Sequence, residues 1–560
     1  EFGNKFSNSP SMGNPQYTQF LRIIQREGIA QKQKKDSNRK ESEEVNMKKM
    51  KKVMALLLSL VMVLAMSVVA FAEEATYTIT INNEDEPDHT YEAYQIFSGA
   101  LSGSVLSDIQ WGSGVTDAGQ KALGKASDKA ASLSGAESAA NFAKELAPYL
   151  QGGKTSTRSG NVYTISGLTA GYYLVKDQDN TLGDTDACYT AYIMKVVKDV
   201  TAAPKGEKPS VEKKVQENVK DTNTTGNYGT RYNDTADYSI GDAVPFKLIG
   251  TVPDMGKYTT YKYTFHDTLS ESFNAPSKEN VKVYVSSSKD GEGQKEITND
   301  FTVTVSGQKI TVSTADLKKI AGVEKGKNVI VEYSAVLNEK ASIGQNKPGN
   351  VNEVYLTYSN NPNQGGEGEE GKTPVDKVIV FTYELDVNKI DGANKTKLAG
   401  VTFNLYKMVN NEKQYATVDN GKLTGWTSDE NGATVLKTDS DGLIKVAGLD
   451  DGIYYIHEIK PLSGYNSIED VTVVISADTS NGQNGQGEVT ELTKIDVTAN
   501  GESAESEKTT GVGTVTIENN QGSTLPSTGG MGTTIFYVVG SILVLGAAIL
   551  LITKKRMSAR

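Results

Sequence analysis

The chain has 560 residues, enough for three or four domains with separate cores. Its 58 basic and 69 acidic residues give a net charge of -11, which argues against nucleic acid as a partner. Cys188 is the only cysteine, so the chain cannot form an internal disulfide. The 27 tyrosines against 13 phenylalanines are typical of half-buried strands. We therefore expect an acidic, mainly β protein of several domains.

A secretory signal peptide is predicted at residues 47–72. A charged start is followed by an apolar stretch at 53–69 and by Ala-Phe-Ala at 70–72, a small-residue pattern that signal peptidase cleaves. The exported chain would then begin at Glu73. Residues 1–46 are polar and have no periodicity, and we expect them to be an upstream or non-native extension.

The exported part is predicted to contain three β-sandwiches in a row. The first, at residues 73–205, opens with an alternating strand at 76–81 and returns to strands at 162–165 and 172–175. Between them lies an Ala-rich stretch at about 116–150 that should be helical. The first domain is therefore expected to be a sandwich with inserted helices.

The middle domain is expected at residues 206–363, where short Tyr/Thr/Val strands follow one another. A linker at 364–373 follows, since its glycines and glutamates are too polar to pack. The third domain is expected at 374–522. Residues 167–177 and 448–458 align as a weak internal repeat, which indicates divergent copies of one sandwich.

In the third domain, three predicted strands each carry one polar residue at the end of an otherwise apolar face. Alternation places Lys389, Glu458 and Asn519 on these faces. Burial favours the uncharged forms of the amine and the acid. Lys389 could then attack Asn519 while protonated Glu458 polarises the amide, which would form an isopeptide bond once per molecule with loss of ammonia. Alternation alone also allows a snorkelling lysine, a surface ion pair and a turn-capping asparagine.

Four segments of the third domain resemble the CnaB-type domains of Gram-positive pilins and adhesins: residues 398–406, 439–442, 448–449 and YYIHEIKPLSGY at 454–465. The last string departs from the family's acid box only by one residue in the position of the proline. The resemblance implies an Ig-like, Cna-type sandwich and assigns Lys389, Glu458 and Asn519 as the bond-forming set. Asn520 is the alternative if the register slips by one residue. The Asp439–Gly442 segment lacks the spacing of a calcium loop and should be a hairpin turn, and we expect no cofactor and no metal.

The middle domain contains a looser version of the same pattern. Lys213, Asp267 and Asn360 each alternate with apolar residues on a predicted strand. These segments resemble the middle domain of backbone pilins, in which an aspartate takes the place of the glutamate. The resemblance implies a second isopeptide set of Lys213, Asp267 and Asn360, with Lys214 and Asn361 as open alternatives.

The C-terminal end carries Leu525-Pro526-Ser527-Thr528-Gly529, which resembles the LPXTG sorting signal of Gram-positive surface proteins. An apolar run at 533–553 is long enough to span a bilayer, and the basic tail at 554–560 should stay in the cytoplasm. The resemblance implies that a sortase cleaves between Thr528 and Gly529 and passes the Thr528 acyl group to an amine. The membrane segment would then be a temporary anchor.

The first domain is expected to supply that amine. The segment ending in Lys205 resembles the pilin motif of backbone pilins, with Ala203 in place of its tyrosine, and Lys198 and Lys208 are rival acceptors. The same domain has Asp177 at the acid position of the internal repeat. Its opening strand has no lysine, so we predict no isopeptide bond there.

These resemblances predict a secreted, wall-anchored major pilin rather than an enzyme. Its partners would be a sortase, identical subunits in a covalent fibre, peptidoglycan, and further pilins at the tip and base. The alternative is a wall-anchored adhesin that is never polymerised and binds a host or matrix ligand. A wall-bound enzyme is disfavoured, because the chain has three histidines, one cysteine and no nucleophile motif.

Overall fold

The computed structural model describes residues 75–84, 88–204, 206–218, 228–344, 349–479, 491–522, 537–544 and 554. The predicted extension, the signal peptide, Lys205 and the sorting motif at 525–529 lie outside these residues. The first of two units comprises the described residues up to Thr181 together with Tyr189–Gly206 and Pro362–Gly365. The second comprises Leu182–Cys188, Glu207–Asn361 and the described residues from Gly366 onward.

The first unit is built from two sheets and a helical insertion. Its strands are β1 Tyr77–Asn82, β2 Tyr91–Ser102, β3 Val105–Trp111, β4 Lys154–Thr155, β5 Thr157–Ser159, β6 Val162–Leu168, β7 Gly171–Asp177, β8 Ala191–Val196 and β9 Val200–Ala202. One sheet has the order β5-β6-β1-β9, and the other has the order β3-β2-β7-β8 with β4 against β2. Alternation explains the inner face of the first sheet, since Ile79 and Ile81 of β1 are fully buried.

The predicted helical stretch forms three short helices. They are α1 Asp117–Leu123, α2 Ala126–Ser132 and α3 Ala136–Leu146, followed by a 3₁₀ turn at Ala147–Tyr149. The side chain of Thr116 caps α1 by accepting a hydrogen bond from the backbone N–H of Gly119 at 3.2 Å. Gly124 has a φ of +83° and ends α1, because few other residues adopt that conformation.

The second unit begins with the middle sandwich, which contains fourteen strands in two sheets. They are β10 Val211–Gln216, β11 Tyr232–Asn233, β12 Thr235–Asp237, β13 Ala243–Thr251, β14 Tyr263–Leu269, β15 Phe273–Asn274, β16 Lys282–Ser286, β17 Lys295–Glu296, β18 Thr302–Ser306, β19 Lys309–Thr314, β20 Asn328–Leu337, β21 Asn350–Ser359, β22 Glu370–Lys372 and β23 Asp376–Phe381. The first sheet has the order β11-β10-β13-β20-β16-β17, with β15 against β20. The second has the order β12-β23-β21-β14-β19-β18, with β22 against β21.

The predicted linker at 364–373 and the predicted boundary at 374 differ from the structure. Strand β22 lies within the linker and pairs with β21, and β23 pairs with both β21 and β12. The backbone of Glu370–Lys372 can join the sheet although its side chains are polar, because strand pairing uses main-chain groups. The middle sandwich therefore continues to Phe381.

The C-terminal sandwich is formed by one continuous path of paired strands. They are β24 Tyr383–Asp391, β25 Thr402–Val409, β26 Glu412–Asp419, β27 Lys422–Thr427, β28 Leu436–Lys437, β29 Leu443–Leu449, β30 Gly452–Lys460, β31 Val471–Thr479, β32 Leu492–Ala499, β33 Glu502–Ser503, β34 Glu505–Glu507 and β35 Val512–Asn519. The path has the order β33-β32-β31-β30-β25-β26-β27-β29-β24-β35-β34, with β28 against β25. Strands β24 and β35 are parallel, so the first and last long strands of this sandwich lie side by side.

The internal repeat corresponds to two equivalent connections between strands that do not pair with each other. Residues 167–177 join the end of β6 to β7, and residues 448–458 join the end of β29 to β30. Gly167 and Gly448 both have positive φ, +70° and +94°, at the same place in the repeat. Asp439 accepts hydrogen bonds from the N–H groups of Asp441 and Leu443 at 2.8 and 2.9 Å, so that segment is a hairpin turn.

Two further segments belong to the description of the chain. Residues 182–188 leave the first unit and pack in the second, where Asp184 N donates to Glu370 O and Lys372 N donates to Thr185 O, both at 2.9 Å. Within the predicted membrane segment, residues 537–544 are helical. Among the described residues, no helix combines the length and apolar character needed to cross a membrane.

Candidate functional site

Three strands of the C-terminal sandwich bring a lysine, an acid and an amide together in its core. Lys389 on β24 and Asn519 on β35 are fully buried, and Glu458 on β30 is 5% exposed. The Lys389 ammonium donates to Asn519 Oδ1, and Asn519 Nδ2 donates to Glu458 Oε1 at 2.8 Å. Lys389 Nζ lies 3.6 Å from the same Glu458 oxygen. The three predicted residues therefore form one closed cluster.

The surroundings of this cluster favour a neutral amine. Burial lowers the pKa of Lys389 to about 8, although Glu458 opposes the shift. The Phe403 ring, 5.6 Å from Nζ, forms part of the apolar wall. At neutral pH the free amine is then more abundant than at an ordinary lysine by a factor of several hundred, on the order of one decade per pKa unit. The exposed Asn520 points away, so the inward residue on β35 is Asn519.

The middle sandwich contains a second cluster, in which both of its sheets take part. Lys213 on β10 is fully buried and donates to Asp267 Oδ2 on β14. Burial lowers the pKa of Lys213 and raises that of Asp267, while the charges of the pair oppose both shifts. Tyr333 on β20 donates to Asp267 Oδ1 at 2.9 Å and accepts a hydrogen bond from Asn352 Nδ2 on β21 at 2.7 Å. A buried amine, acid and amide again meet, here with a phenol among them.

The amide of this second cluster is not the predicted Asn360. Asp267 lies opposite Val354 in the pairing of β14 with β21, so Asn352 is the next inward-facing residue on one side. Asn360 lies six residues from Val354, about 20 Å along the strand at 3.3 Å per residue. Its amide instead donates to Leu182 O at 3.1 Å and Ala187 O at 3.2 Å. The register of β21 therefore favours Asn352 and gives Asn360 a role in holding residues 182–188.

Comparisons with known proteins agree with this architecture. Residues 383–489 match the family model of the SpaA prealbumin-like fold domain, and residues 517–558 match the LPXTG cell wall anchor motif. The trypsin-resistant surface T6 protein of Streptococcus pyogenes serotype M6 is 25% identical over 427 residues, which cover 64% of this chain and 70% of the relative. The chain is a homologue of this streptococcal surface protein. It is anchored to the cell wall at the bacterial surface.

Two solved structures are also similar to this chain. The T6 backbone pilin of serotype M6 Streptococcus pyogenes has a TM-score of 0.49 and 18% identity, and the match covers 81% of this chain and 100% of that one. The full-length major pilin SpaD from Corynebacterium diphtheriae has a TM-score of 0.46 and 17% identity, with coverage of 82% and 100%.

The alternative residues of the middle domain occupy other places in the chain. Lys214 points to the opposite face of β10, where it donates to Asp234 and lies 4.6 Å from the ring of Tyr228. Asn361 is buried, and its carbonyl accepts the N–H of Gly366 at 3.0 Å. Neither residue joins Lys213 and Asp267 in the described structure.

In the first unit, the buried acid of the internal repeat is paired with a histidine that the sequence reasoning missed. Asp177 is fully buried, and its Oδ1 lies 2.7 Å from His89 Nδ1. Asp177 Oδ2 accepts hydrogen bonds from Thr190 N and Oγ1 at 2.6 and 3.0 Å. The acid position thus carries a noncovalent His–Asp contact between the segment before β2 and the end of β7.

The lysines considered as sortase acceptors differ in their surroundings. Lys205 lies outside the described residues and follows β9, an edge strand that pairs in parallel with β1. Lys198 is exposed, whereas Lys208 donates to Asp186 O and contacts Asp186 Oδ2, both at 2.8 Å. Lys208 is therefore the less accessible of the two described rivals.

A group of buried acids lies where the middle and C-terminal sandwiches of the second unit meet. Carboxylate oxygens of Asp237, Asp450 and Asp451 lie within 4.8 Å of one another. Burial is the main cause that raises the pKa of Asp237 and Asp450, and the charges of the neighbouring acids add to it. Tyr383 donates to Asp237 Oδ2 at 3.0 Å. Deprotonation of this group must therefore weaken the folded state.

We expect Asp237→Asn to stabilise the second unit at neutral pH. A carboxyl whose folded pKa is raised costs stability as the pH rises from the unfolded value of 3.8 to the folded value. The amide removes that cost, which is about 1.4 kcal/mol for each unit of raised pKa. Thermal unfolding measured across a pH series should show a higher Tm and a weaker pH dependence. Asp254→Asn is the control, because its pKa is lowered; an unchanged Tm in Asp237→Asn would contradict the prediction.

Proposed function

We propose that the chain is a major pilin subunit that a sortase joins through Thr528 to a lysine of the next subunit, and that autocatalytic Lys–Asn bonds stabilise it. The observation that carries the proposal is the pair of buried clusters. In one, the lysine, acid and amide contact one another directly; in the other, all three contact the hydroxyl of Tyr333. Burying a lysine in a domain core costs free energy. Two buried lysines in clusters with amide side chains are therefore better explained by a chemical reaction than by a structural role.

The chemistry in the C-terminal sandwich needs only side chains of this chain. Lys389 Nζ attacks Cγ of Asn519, the Cγ–Nδ2 bond breaks, and ammonia leaves. Glu458 lies 2.8 Å from the leaving nitrogen and 3.6 Å from Nζ, so one carboxyl can carry the proton from the amine to the leaving group. The lowered pKa of Lys389 supplies the free amine that the attack requires. The reaction occurs once and leaves no turnover site.

Each bond would replace the disulfides that the chain lacks. Lys389 and Asn519 are 130 residues apart, and a crosslink over such a loop stabilises by about 5 kcal/mol on the chain-entropy model used for disulfides. We assign Lys213, Asp267 and Asn352 to the equivalent bond of the middle sandwich. Asn352 replaces Asn360 in the predicted set because only Asn352 reaches the cluster through Tyr333.

Polymerisation is the part of the proposal that a sortase tests directly. The full chain, expressed with its cognate sortase, should form a ladder of covalent multimers on a denaturing gel. We expect Lys205→Ala to abolish the ladder, because the acyl group of Thr528 then lacks its amine. Lys198→Ala is the matched control, since Lys198 is an exposed lysine of the same region. A ladder that persists in Lys205→Ala would assign the acceptor elsewhere, and no ladder in wild type would favour an unpolymerised adhesin.

A further inference from the structure

The hydroxyl of Tyr333 is the point at which all members of the middle cluster meet. It donates to Asp267 Oδ1 at 2.9 Å, accepts from Asn352 Nδ2 at 2.7 Å and lies 3.3 Å from Lys213 Nζ. Lys213 and Tyr333 come from one sheet of the sandwich, and Asp267 and Asn352 come from the other. Tyr333 is 4% exposed, so these contacts are shielded from water. A phenol in such a place touches every group that would react.

Among the described residues, the C-terminal cluster has no such intermediary. There, Glu458 accepts directly from the amide nitrogen of Asn519 at 2.8 Å. Asp267 is one methylene shorter than a glutamate, and in the described structure Asn352 bonds to Tyr333 and not to Asp267. The hydroxyl of Tyr333 bridges the shorter carboxyl of Asp267 and the amide of Asn352. The two sites thus connect acid to amide in different ways.

The contacts also determine which atom of the Asn352 amide can exchange a proton with Asp267. Asn352 Oδ1 is buried and has no hydrogen-bond partner among the described groups, whereas Nδ2 is held by Tyr333. The acid therefore acts on the leaving nitrogen and not on the carbonyl oxygen. This arrangement suits proton delivery, because an amide nitrogen must be protonated before it departs as ammonia.

We propose that Tyr333 is a further catalytic residue of the middle-domain crosslink, relaying a proton between Asp267 and the leaving nitrogen of Asn352. The inference rests on the proposed function, since it concerns the same bond. Lys213 Nζ forms a bond to Cγ of Asn352. Once Nζ has added to Cγ, Nδ2 is no longer conjugated with the carbonyl and can accept a proton, so both hydrogen bonds of Tyr333 reverse. Protonated Asp267 then gives its proton to Tyr333 while the phenol proton passes to Nδ2, the Cγ–Nδ2 bond breaks, and ammonia leaves. The proton that Nζ sheds on becoming an amide returns to Asp267.

The test compares the rate of crosslinking in tyrosine variants of the full chain. A proteolytic digest at successive times after synthesis gives the yield of the branched peptide that joins Lys213 to Asn352. We expect Tyr333→Phe to slow its formation by about 100-fold, the usual worth of a positioned proton donor. Tyr263→Phe is the matched control, because Tyr263 is fully buried in the same sandwich and donates to Thr251 O at 2.9 Å. The branched peptide from Lys389 should form normally in both variants and reports intact folding.

A rescue variant separates catalysis from packing. In a Tyr333→Phe chain, Asp267→Glu adds the methylene by which Glu458 reaches its amide, so the double variant should recover crosslinking. If the hydroxyl had only a structural role, a longer acid would not restore crosslinking. Crosslinking at the wild-type rate in Tyr333→Phe overturns the relay while the bond itself stands. A wild-type chain without the branched peptide overturns the proposed bond and the relay together.

Discussion

Glu458→Ala should leave the C-terminal sandwich without its crosslink and heavier by the mass of one ammonia molecule, apart from the mass of the substitution. The carboxyl is the only acid in hydrogen-bond contact with Asn519 within the described residues. Without it, the proton cannot move from Lys389 to the leaving nitrogen. The branched peptide joining Lys389 to Asn519 should be absent from a digest, while the peptide from Lys213 persists.

Glu458→Ala should also lower the free energy of unfolding, because the variant lacks the crosslink. Loss of the crosslink costs about 5 kcal/mol by the loop estimate, and a buried Lys389 without its acid adds about 3 kcal/mol or more. For a domain of this size we expect the Tm to fall by at least about 10 °C. Glu518→Ala is the control, because Glu518 is exposed, neighbours Asn519 on β35 and pairs with Lys395 at 2.6 Å. Equal Tm values for the two variants would exclude a stabilising bond.

Asn352→Ala and Asn360→Ala should have opposite outcomes in the middle sandwich. Asn352→Ala removes the carbon that Lys213 attacks, so the branched peptide should vanish and a loop closure worth about 5 kcal/mol should be lost. Asn360→Ala should keep the branched peptide. It removes the Asn360 donor from Ala187 O and from Leu182 O, which keeps a hydrogen bond from Thr185 Oγ1 at 2.8 Å. This loss costs about 1–3 kcal/mol.

Limited proteolysis adds a second measurement for this pair. Because the Asn360 amide holds residues 182–188, we expect Asn360→Ala to be cleaved faster in that segment, and Asn352→Ala to be cleaved there at the wild-type rate. The reverse pattern, with the branched peptide lost only in Asn360→Ala, would restore the assignment made from alternation.

The C-terminal cluster could be predicted from sequence, because each of its strands has one polar residue at the end of an apolar row. Lys389 follows Leu385 and Val387 on the same buried face, and the alternation of side chains along the strand is enough to identify it. In the middle sandwich, the inward-facing row of β21 starts with Asn350 and Asn352, and Asn360 continues the row just past the end of the strand. Only the pairing of Asp267 with Val354 distinguishes Asn352 from Asn360. Local alternation does not predict how distant strands pair.

Other features were missed for equally physical reasons. Tyr333 lies in the apolar strand β20, so the sequence predicts an ordinary core residue. Its hydroxyl contacts Asp267 and Asn352 only because the other sheet packs against it. Strand β22 is polar along its length, so hydropathy assigns it to a linker although main-chain pairing holds it. The division of the Ala-rich stretch into three short helices could not be placed from sequence, because the high helix propensity of alanine outweighs the glycines at 124 and 135 in a propensity argument.

The place of Asn352 within β21 has a mechanical consequence for the proposed fibre. Tension would enter each subunit at Lys205 and leave it at Thr528. It would cross each sandwich through its crosslink, so the chain enclosed by each bond would carry no load. Only the covalent path outside the bonds could lengthen.

That path includes residues 353–388, which join one crosslinked sandwich to the next. The segment comprises most of β21, all of β22 and β23, and the start of β24. It would be the elastic element of the subunit, and extending it would separate β23 from β21, with which it pairs. Fully drawn out, a chain of this length spans at most roughly 130 Å, which sets the limit of its extension.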